Sequence, residues 1–213
     1  MYNLNNFSFG YSAEQQLFTK QNLTISRNQI TLLGGANGSG KTTLLRIISG
    51  LQKKYEGEIL LAEQNLKELS AAEIAEYIIY LKQEPLANIV AATALEDLHI
   101  WLHKYAAPQH NDQIIRDSLQ YFGLHQLADT PVWKLSGGQA KRVGLAALLL
   151  NQHKFWLLDE PTAGLDSKLQ AKLIDKLCKR KQQNLGALII SHRVDLFRDV
   201  ADRIYTIDEA NIL

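Results

Sequence analysis

The stretch Gly35-Ala36-Asn37-Gly38-Ser39-Gly40-Lys41-Thr42 has the spacing G-x-x-x-x-G-K-[ST]. Glycines at these positions let successive backbone N–H groups curl round an anion with no Cβ in the way, and a helix N-terminus behind them adds positive potential. Lys41 supplies a point charge expected to reach the β- and γ-phosphates of a nucleotide, and the Thr42 hydroxyl is expected to ligate Mg²⁺. Gly35 to Thr43 is therefore the expected nucleotide-holding run. A second feature is Phe155-Trp156-Leu157-Leu158-Asp159-Glu160, an apolar strand that ends in two acids, and strand ends of open parallel sheets are where such sheets bind ligands. Asp159 is the expected Mg²⁺-side carboxylate. Glu160 has a like charge beside it, a setting that can raise a carboxylate toward the proton affinity of a general base for an attacking water. An isolated Asp-Glu-Pro fits a solvated acidic turn as well, and the upstream phosphate loop is what favours the catalytic alternative. Third, Leu135-Ser136-Gly137-Gly138-Gln139 opens a helix with serine at the cap and two glycines that bare backbone N–H groups. One nucleotide needs one cradle, so a second anion-binding surface points to a nucleotide held by a neighbouring copy.

Elements able to position these groups are visible in the pattern. Phe7, Phe9 and Tyr11 recur with period two, and Leu23 to Ile25 and Ile30 to Leu33 are apolar runs of strand length. The spacing predicts a helix over Thr42 to Ser49 that stops at Gly50, then strand at Ile59 to Leu61. Ser70 with Glu73 predicts a capping box, and Tyr77 to Leu81 a buried strand. From Thr93, with Glu96 three residues on, to Gly123 the pattern is helical, broken around Ala107-Pro108, which predicts a helical subdomain inserted between strands. Gly137 to Leu150 is an expected helix, Phe155 to Leu158 a central strand, Ser167 to Lys181 an amphipathic helix, Leu185 to Ile190 a buried strand, Val194 to Val200 a last helix and Ile204 to Ile207 a last strand. Strand and helix alternate as in an α/β fold with a parallel sheet.

Composition bounds what these groups can serve. The 213 residues, 46% hydrophobic and 21% charged, suffice for one domain with a real core, and no repeat or low-complexity tract divides them. With 23 Lys+Arg against 22 Asp+Glu the net charge is +1, so no global basic field is available to attract nucleic acid or anionic lipid. The single cysteine, Cys178, can form neither an intrachain disulfide nor a cysteine-rich metal site and fits a reducing compartment. His99 and His103 are four apart on an expected helix without a third metal ligand beside them, so packing or surface roles are expected. The polar start MYNLNNFSFGYS lacks the layout of a secretory signal, and no apolar run approaches the ~20 residues of a membrane span. A cytoplasmic protein is expected, with any membrane-spanning part supplied by another chain.

The ordered combination of phosphate loop, Leu135-Ser136-Gly137-Gly138-Gln139 and the Asp159-Glu160 strand resembles the nucleotide-binding domain of ATP-binding cassette (ABC) transporters, from about Tyr2 to Leu213. The resemblance implies a P-loop NTPase fold: a mostly parallel central sheet, an N-terminal antiparallel β-subdomain and a helical subdomain inserted at about 85–134 of a single domain, 1–213. It implies ATP and Mg²⁺ as ligands, transmembrane permease subunits as partners on the inner face of the cell membrane, and a second ABC ATPase subunit, identical or not, with no nucleic acid. By the same resemblance Tyr11 stacks on adenine, Gln83 contacts Mg²⁺ and senses the membrane partner, Ala163-Gly164-Leu165-Asp166 touches the opposite subunit, and His192 contacts the γ-phosphate. Ser136, Gly137, Gly138 and Gln139 complete the nucleotide site of the neighbouring copy. Glu160, His192 and Gln83 are thus the expected catalytic set, and Thr42, Gln83 and Asp159 the expected metal set. The sequence departs from the family at Asn28-Gln29, at Ala36 and at Gly34, none of which removes a chemical group, and at Ala210-Asn211, which stand in place of the usual Gly-Lys. Ending at Leu213, it is expected to carry no C-terminal regulatory domain.

Two other classes compete. A non-transport ABC switch of DNA repair or chromosome maintenance would need a long insert between Lys41 and Leu135, and the two lie too close for one. A translation-type switch would need two cassettes. A GTPase or small-molecule kinase would leave Leu135 to Gln139 idle. Within transporters, Gln83-Glu84-Pro85, Ala147 to Leu150 and Pro161 to Asp166 look most like the energy-coupling-factor and cobalt-type ATPases of vitamin and metal-ion importers, with small haem-export-like systems as the alternative.

Overall fold

Residues 1–12, 14–102, 111–152, 154–208 and 210–213 are described by a computed structural model of the chain. In chain order it forms β1 (Tyr2–Gly10), β2 (Gln16–Ile25), β3 (Ile30–Gly35), α1 (Lys41–Ile48), β4 (Glu56–Leu61), β5 (Gln64–Asn65), α2 (Ala71–Tyr77), β6 (Ile78–Leu81), α3 (Ala94–Leu102), α4 (Asn111–Tyr121), α5 (Gly137–Leu150), β7 (Phe155–Asp159), α6 (Ser167–Gln182), β8 (Ala187–Ile190), α7 (Val194–Phe197), β9 (Arg203–Asp208) and β10 (Asn211–Ile212). Two units enclose these elements: Met1–Tyr80 with Lys154–Pro161 and Ile174–Leu213, and Leu81–His153 with Thr162–Leu173. The break expected at Ala107-Pro108, and His103, lie outside the described residues. His99 pairs with Asp112 across 3.1 Å.

In the first unit an antiparallel sheet runs β2-β1-β4-β5, and a second sheet runs β10-β9-β3-β8-β7-β6 with β9, β3, β8 and β7 mutually parallel. Strands β3, β7 and β8 are buried along almost their whole length, as central parallel strands must be, whereas β1 and β2 alternate and turn one face inward. That face brings Tyr2, Phe7 and Phe18 into one core with Leu44, Ile47 and Ile48 of α1 and Leu157 and Leu188 of the parallel sheet. The strand expected from Leu23 begins earlier, at Gln16, because its first half pairs with β1 despite register shifts. The irregularity leaves Asn6 and Lys20 at φ 49°, and neighbouring side chains satisfy their amides: Asn22 Oδ1 accepts from Asn6 N at 2.9 Å and Ser8 Oγ from Lys20 N at 2.8 Å.

Helix α1 stops at Gly50, which has φ 76° and lets Leu51 N reach back to Arg46 O. Asn184 does the same for α6, and Leu185, expected in the next strand, instead donates to Arg180 O, so β8 starts two residues later. The expected last helix shortens to Val194–Phe197. Its Val194 lies close over Gly34: a Cβ there would be 3.2 Å from a Val194 methyl, which would have to give by a few tenths of an ångström. The terminal strand β10 pairs with β9, and its Asn211 accepts from Gln21 Nε2 at 3.1 Å, giving that departure from the family a structural use.

In the second unit α3, α4 and α5 pack together. Thr93 and Glu96 cap α3 reciprocally, and Ser118 Oγ donates to Ala146 O at 2.9 Å in the buried seam between α4 and α5. Asp97 of α3 is fully buried, with Oδ1 accepting from Val90 N at 2.8 Å. Burial pushes its carboxyl above the ordinary carboxylate range, with the amides of Val90 and Ala91 pulling the other way. A folded-state pKa that is raised favours the folded protein fully below the unfolded value, and that advantage is lost as pH rises through the folded one. Asp97→Asn keeps an acceptor for Val90 N without the charge. Its melting temperature is expected to exceed that of the wild type at pH 7, with the gap closing toward pH 4. A constant gap across that range in thermal melts would show that the charge is not what is being removed. Among the described residues no helix is long and apolar enough to cross a membrane.

Candidate nucleotide-binding site

The phosphate loop joins β3 to α1 in the first unit. Gly35, Gly38 and Gly40 have φ 138°, 82° and 99°, and a Cβ at Gly38 would meet nothing, so that glycine answers to backbone conformation and leaves an open cradle. Ser39 N donates to Ala36 O, closing the loop, with Ala36 and Asn37 exposed on its rim. No side chain caps α1, so the first amides of the helix are turned to the loop without a competing partner. Ser39 Oγ is buried with no hydrogen-bond partner, as suits a group reserved for a ligand. Lys41 folds back across the loop, Nζ donating to Gly35 O at 2.8 Å and Ala36 O at 2.7 Å. Burial pushes its ammonium below the ordinary lysine range, against the upward pull of Glu160 and Asp159. Tyr11 is 61% exposed beside this loop, its hydroxyl 3.1 Å from Thr43 Oγ1 and its ring held edge-on by Phe9. An exposed, oriented ring there can take a base in a stack.

Asp159 ends β7 with almost no exposure, and each of its oxygens meets a hydroxyl. Thr42 Oγ1 donates to Oδ1 and Tyr80 OH to Oδ2, both at 3.3 Å. A hydroxyl and a carboxylate converging in this way are hard oxygen donors of the kind Mg²⁺ takes. Tyr80 was not among the expected site residues, although it is the one polar tip in the strand Ile78-Ile79-Tyr80-Leu81. Burial, reinforced by the Asp159 charge, pushes its phenol far up and keeps it a donor.

Glu160 sits next in the chain at φ 46°, a left-handed conformation that side chains rarely adopt and that turns its carboxylate toward the end of β8. There Oε1 accepts from His192 N at 2.8 Å, while Oε2 accepts from Ser191 Oγ at 3.1 Å and lies 3.0 Å from His192 Nδ1. Two adjacent acids thus separate by role, Asp159 facing Thr42 and Glu160 facing His192. Ser191, fully buried and also accepting from Arg193 N, is a second residue missed at the sequence level, where only the histidine after the strand stood out.

In the second unit Ser136 caps α5 in a reciprocal box with Gln139: its Oγ accepts from Gln139 N at 3.2 Å, and Gln139 Oε1 accepts from Ser136 N at 2.7 Å. Ser136 and Gly137 are exposed, and a Cβ at Gly137 would meet nothing. A Cβ at Gly138 would lie 3.4 Å from Gly164 O, so the Ala163 to Asp166 turn runs close by, and Asp166 itself caps α6 through Leu169 N at 2.8 Å. Gln83 is exposed just beyond β6.

The sequence profile of the ABC transporter family matches residues 18–163. Among curated relatives, the cytochrome c biogenesis ATP-binding export protein CcmA of Aliivibrio fischeri is 35% identical over 87% of this chain and 89% of its own length. The putative HMP/thiamine import ATP-binding protein YkoD of Bacillus subtilis is 30% identical over 93% of this chain, which spans only 36% of YkoD. Among solved structures, the ATP-binding cassette MJ0796, a dimer in a post-hydrolysis state with ADP and Pi, superposes with a TM-score of 0.87 at 27% identity, covering 100% of this chain and 96% of that one. CbiO1 of Clostridium perfringens, part of the transporter complex cbiONQ, gives 0.80 at 25% identity, covering 100% and 86%. The chain belongs to the ABC transporter family. It has the P-loop NTPase fold of the family's ATP-binding cassettes, which are ATPases.

Proposed function

We propose that this chain hydrolyses ATP to drive a membrane transporter whose permease subunits are separate chains, lying against them on the cytoplasmic face. The observation that carries the reading is the division of the acidic pair: Asp159 is turned to Thr42 beside the phosphate loop, and Glu160 to His192. Lys41 and the amides from Gly38 to Thr43 bind the phosphates, and Tyr11 stacks on the base. Thr42, Asp159 and Gln83 would hold Mg²⁺, which when bound neutralises charge on the phosphates. Glu160 takes a proton from the attacking water while His192 steadies its carboxylate and contacts the γ-phosphate. Ser136, Gly137, Gly138 and Gln139 serve the nucleotide of a second cassette, so two copies, or this chain and a relative, close head to tail on two ATP and reopen after hydrolysis. The post-hydrolysis dimer of MJ0796 supports such pairing.

Exposed Leu86 and Val90 beyond Gln83 offer the membrane partner an apolar foothold. The cargo we favour is a vitamin or metal ion taken inward, by likeness to YkoD and CbiO1. Export is the second reading, favoured by the likeness to CcmA. Shared sites make turnover depend on pairing. Specific ATPase activity of the purified chain is expected to fall steeply on dilution and to recover on concentration. A specific activity that stays constant at dilutions where sedimentation finds only single copies sinks the paired-site reading. Purification from membranes tests transport separately, because a detergent-dependent integral partner is expected, and stimulation by DNA or RNA without one would overturn it.

A further inference from the structure

The turn that carries Gln83 leaves the edge strand β6, and among the described residues no strand pairs with it. One side chain takes up four of its backbone groups. Asn88, 8% exposed at the end of the 3-10 turn Pro85–Asn88, accepts from Lys82 N through Oδ1 at 2.7 Å and returns a bond from Nδ2 to Lys82 O at 3.0 Å. A backbone residue of an adjacent strand would pair with Lys82 in the same two-way manner. The amide also reaches Glu84 O at 3.1 Å and Pro85 O at 3.3 Å, so two N–H bonds are shared among three carbonyls. Asparagine is the residue that fits. Aspartate would set a charge against those three oxygens, and glutamine would add a methylene where Asn88 packs beside Gly144 of α5, with the position of a Cβ at Gly144 only 3.5 Å from Asn88 Cβ.

A second buried group ties the same turn to α5. Lys141, 1% exposed one turn inside that helix, places Nζ 3.4 Å from Gln83 O. Its helix starts at Ser136-Gly137-Gly138. Beyond the clamp, Val90 is 73% exposed with its amide pinned by buried Asp97.

We propose that Asn88 is the positioning residue of the Gln83 turn, and that with Lys141 it fastens this turn, and the exposed Leu86 and Val90 around it, to the helix headed by Ser136. Leu86 and Val90 then cannot be displaced without carrying the Gln83 turn and α5 with them. The inference rests on the proposed part of Gln83 in hydrolysis, and Gln83→Ala run in parallel tests that part separately.

Asn88→Ala, Asn88→Asp, Lys141→Met and Gln83→Ala of the whole chain are compared for kcat, KM for ATP, melting temperature and amide hydrogen exchange. Misplacing one group by about an ångström can cost on the order of 100-fold in rate. The Asn88 variants are expected to lose about tenfold or more in kcat, with KM within about twofold, and Lys141→Met to lose less. Exchange should quicken across 82–87 and stay unchanged in the second half of α5. Wild-type kcat in both Asn88 variants beside an impaired Gln83→Ala overturns the positioning role. So does exchange that quickens equally through α5, which would make Asn88 a support of the whole unit. Should Asn88→Ala not fold, Asn88→Asp and Lys141→Met decide by the same two readouts. Wild-type turnover in Gln83→Ala removes the part assigned to Gln83, and the proposal with it.

Discussion

Glu160→Gln is expected to lower ATP turnover by about 10²–10⁴-fold, the usual worth of a positioned general base, while ATP still binds and paired cassettes stay closed. The surroundings of Glu160 explain why the loss should be chemical and not structural. Glutamine has the same length, so its Oε1 can keep the 2.8 Å bond from His192 N. Its Nε2 then faces Ser191 Oγ and His192 Nδ1, which now sit near Oε2. A hydroxyl can rotate to accept, and a neutral imidazole can present Nδ1 as an acceptor, so neither contact need break. The left-handed backbone at position 160 is no worse for Gln than for Glu. What disappears is the acceptor proposed for the water's proton. Gel filtration with ATP and Mg²⁺ should show the variant as a persistent dimer under conditions in which the wild type, having hydrolysed its nucleotide, runs as single copies. If turnover in the variant stays near wild type, Glu160 is not the base. If turnover vanishes and no dimer persists, the head-to-tail closure is at fault instead.

Legibility of this site in the sequence tracked how local each feature is. The phosphate loop is a strand, a run of glycines with positive φ and a helix contiguous in the chain, so residue types alone predict it. The helix from Gly137 to Leu150 was legible to the residue because Ser136 caps one end and apolar periodicity runs through it. Groups that bring the site together from afar were not. Tyr80 and Asp159 are 79 positions apart, and a tyrosine in a buried strand looks like core until the partner strand supplies a carboxylate for its hydroxyl. Lys141 reaches across 58 positions to a backbone oxygen, which has no sequence signal whatever. Asn88 is local to its turn, but nothing in Pro85-Leu86-Ala87-Asn88 says that its amide will stand in for a missing strand. The terminal β10 was invisible for another reason: two residues are too few for a period, and only pairing with β9 makes them a strand.

Lys41→Met should separate binding from stability, and the two effects have opposite signs. Lys41 is 8% exposed, its ammonium is compensated by two carbonyls, not by a contacting carboxylate, and burial holds its pKa below the usual lysine value. A basic group depressed on folding adds its stability above the unfolded pKa and loses it as pH falls through the folded one. Near pH 7, where lysine is charged, the ligand-free protein therefore bears a cost for keeping this group over the loop. Methionine removes that cost while keeping most of the aliphatic stem. Of the two carbonyls that lose the ammonium, Ala36 O keeps the bond from Ser39 N and is exposed to water, and Gly35 is only half-buried. The ligand-free variant is expected to melt no lower than wild type, and its advantage should shrink as pH rises toward the lysine range. The ligand effect goes the other way. A ligand at about 100 times its Kd stabilises a protein by about 2.7 kcal/mol, several degrees in a domain of this size, and the wild type should show such a shift with ATP and Mg²⁺. Without the charge proposed to meet the β- and γ-phosphates, that shift should vanish in Lys41→Met. Thermal melts with and without nucleotide read both effects in one experiment. A ligand-free variant melting well below wild type would mean that the two carbonyl bonds outweigh burial of the charge, and a retained ATP shift would mean that the loop amides hold the phosphates without Lys41.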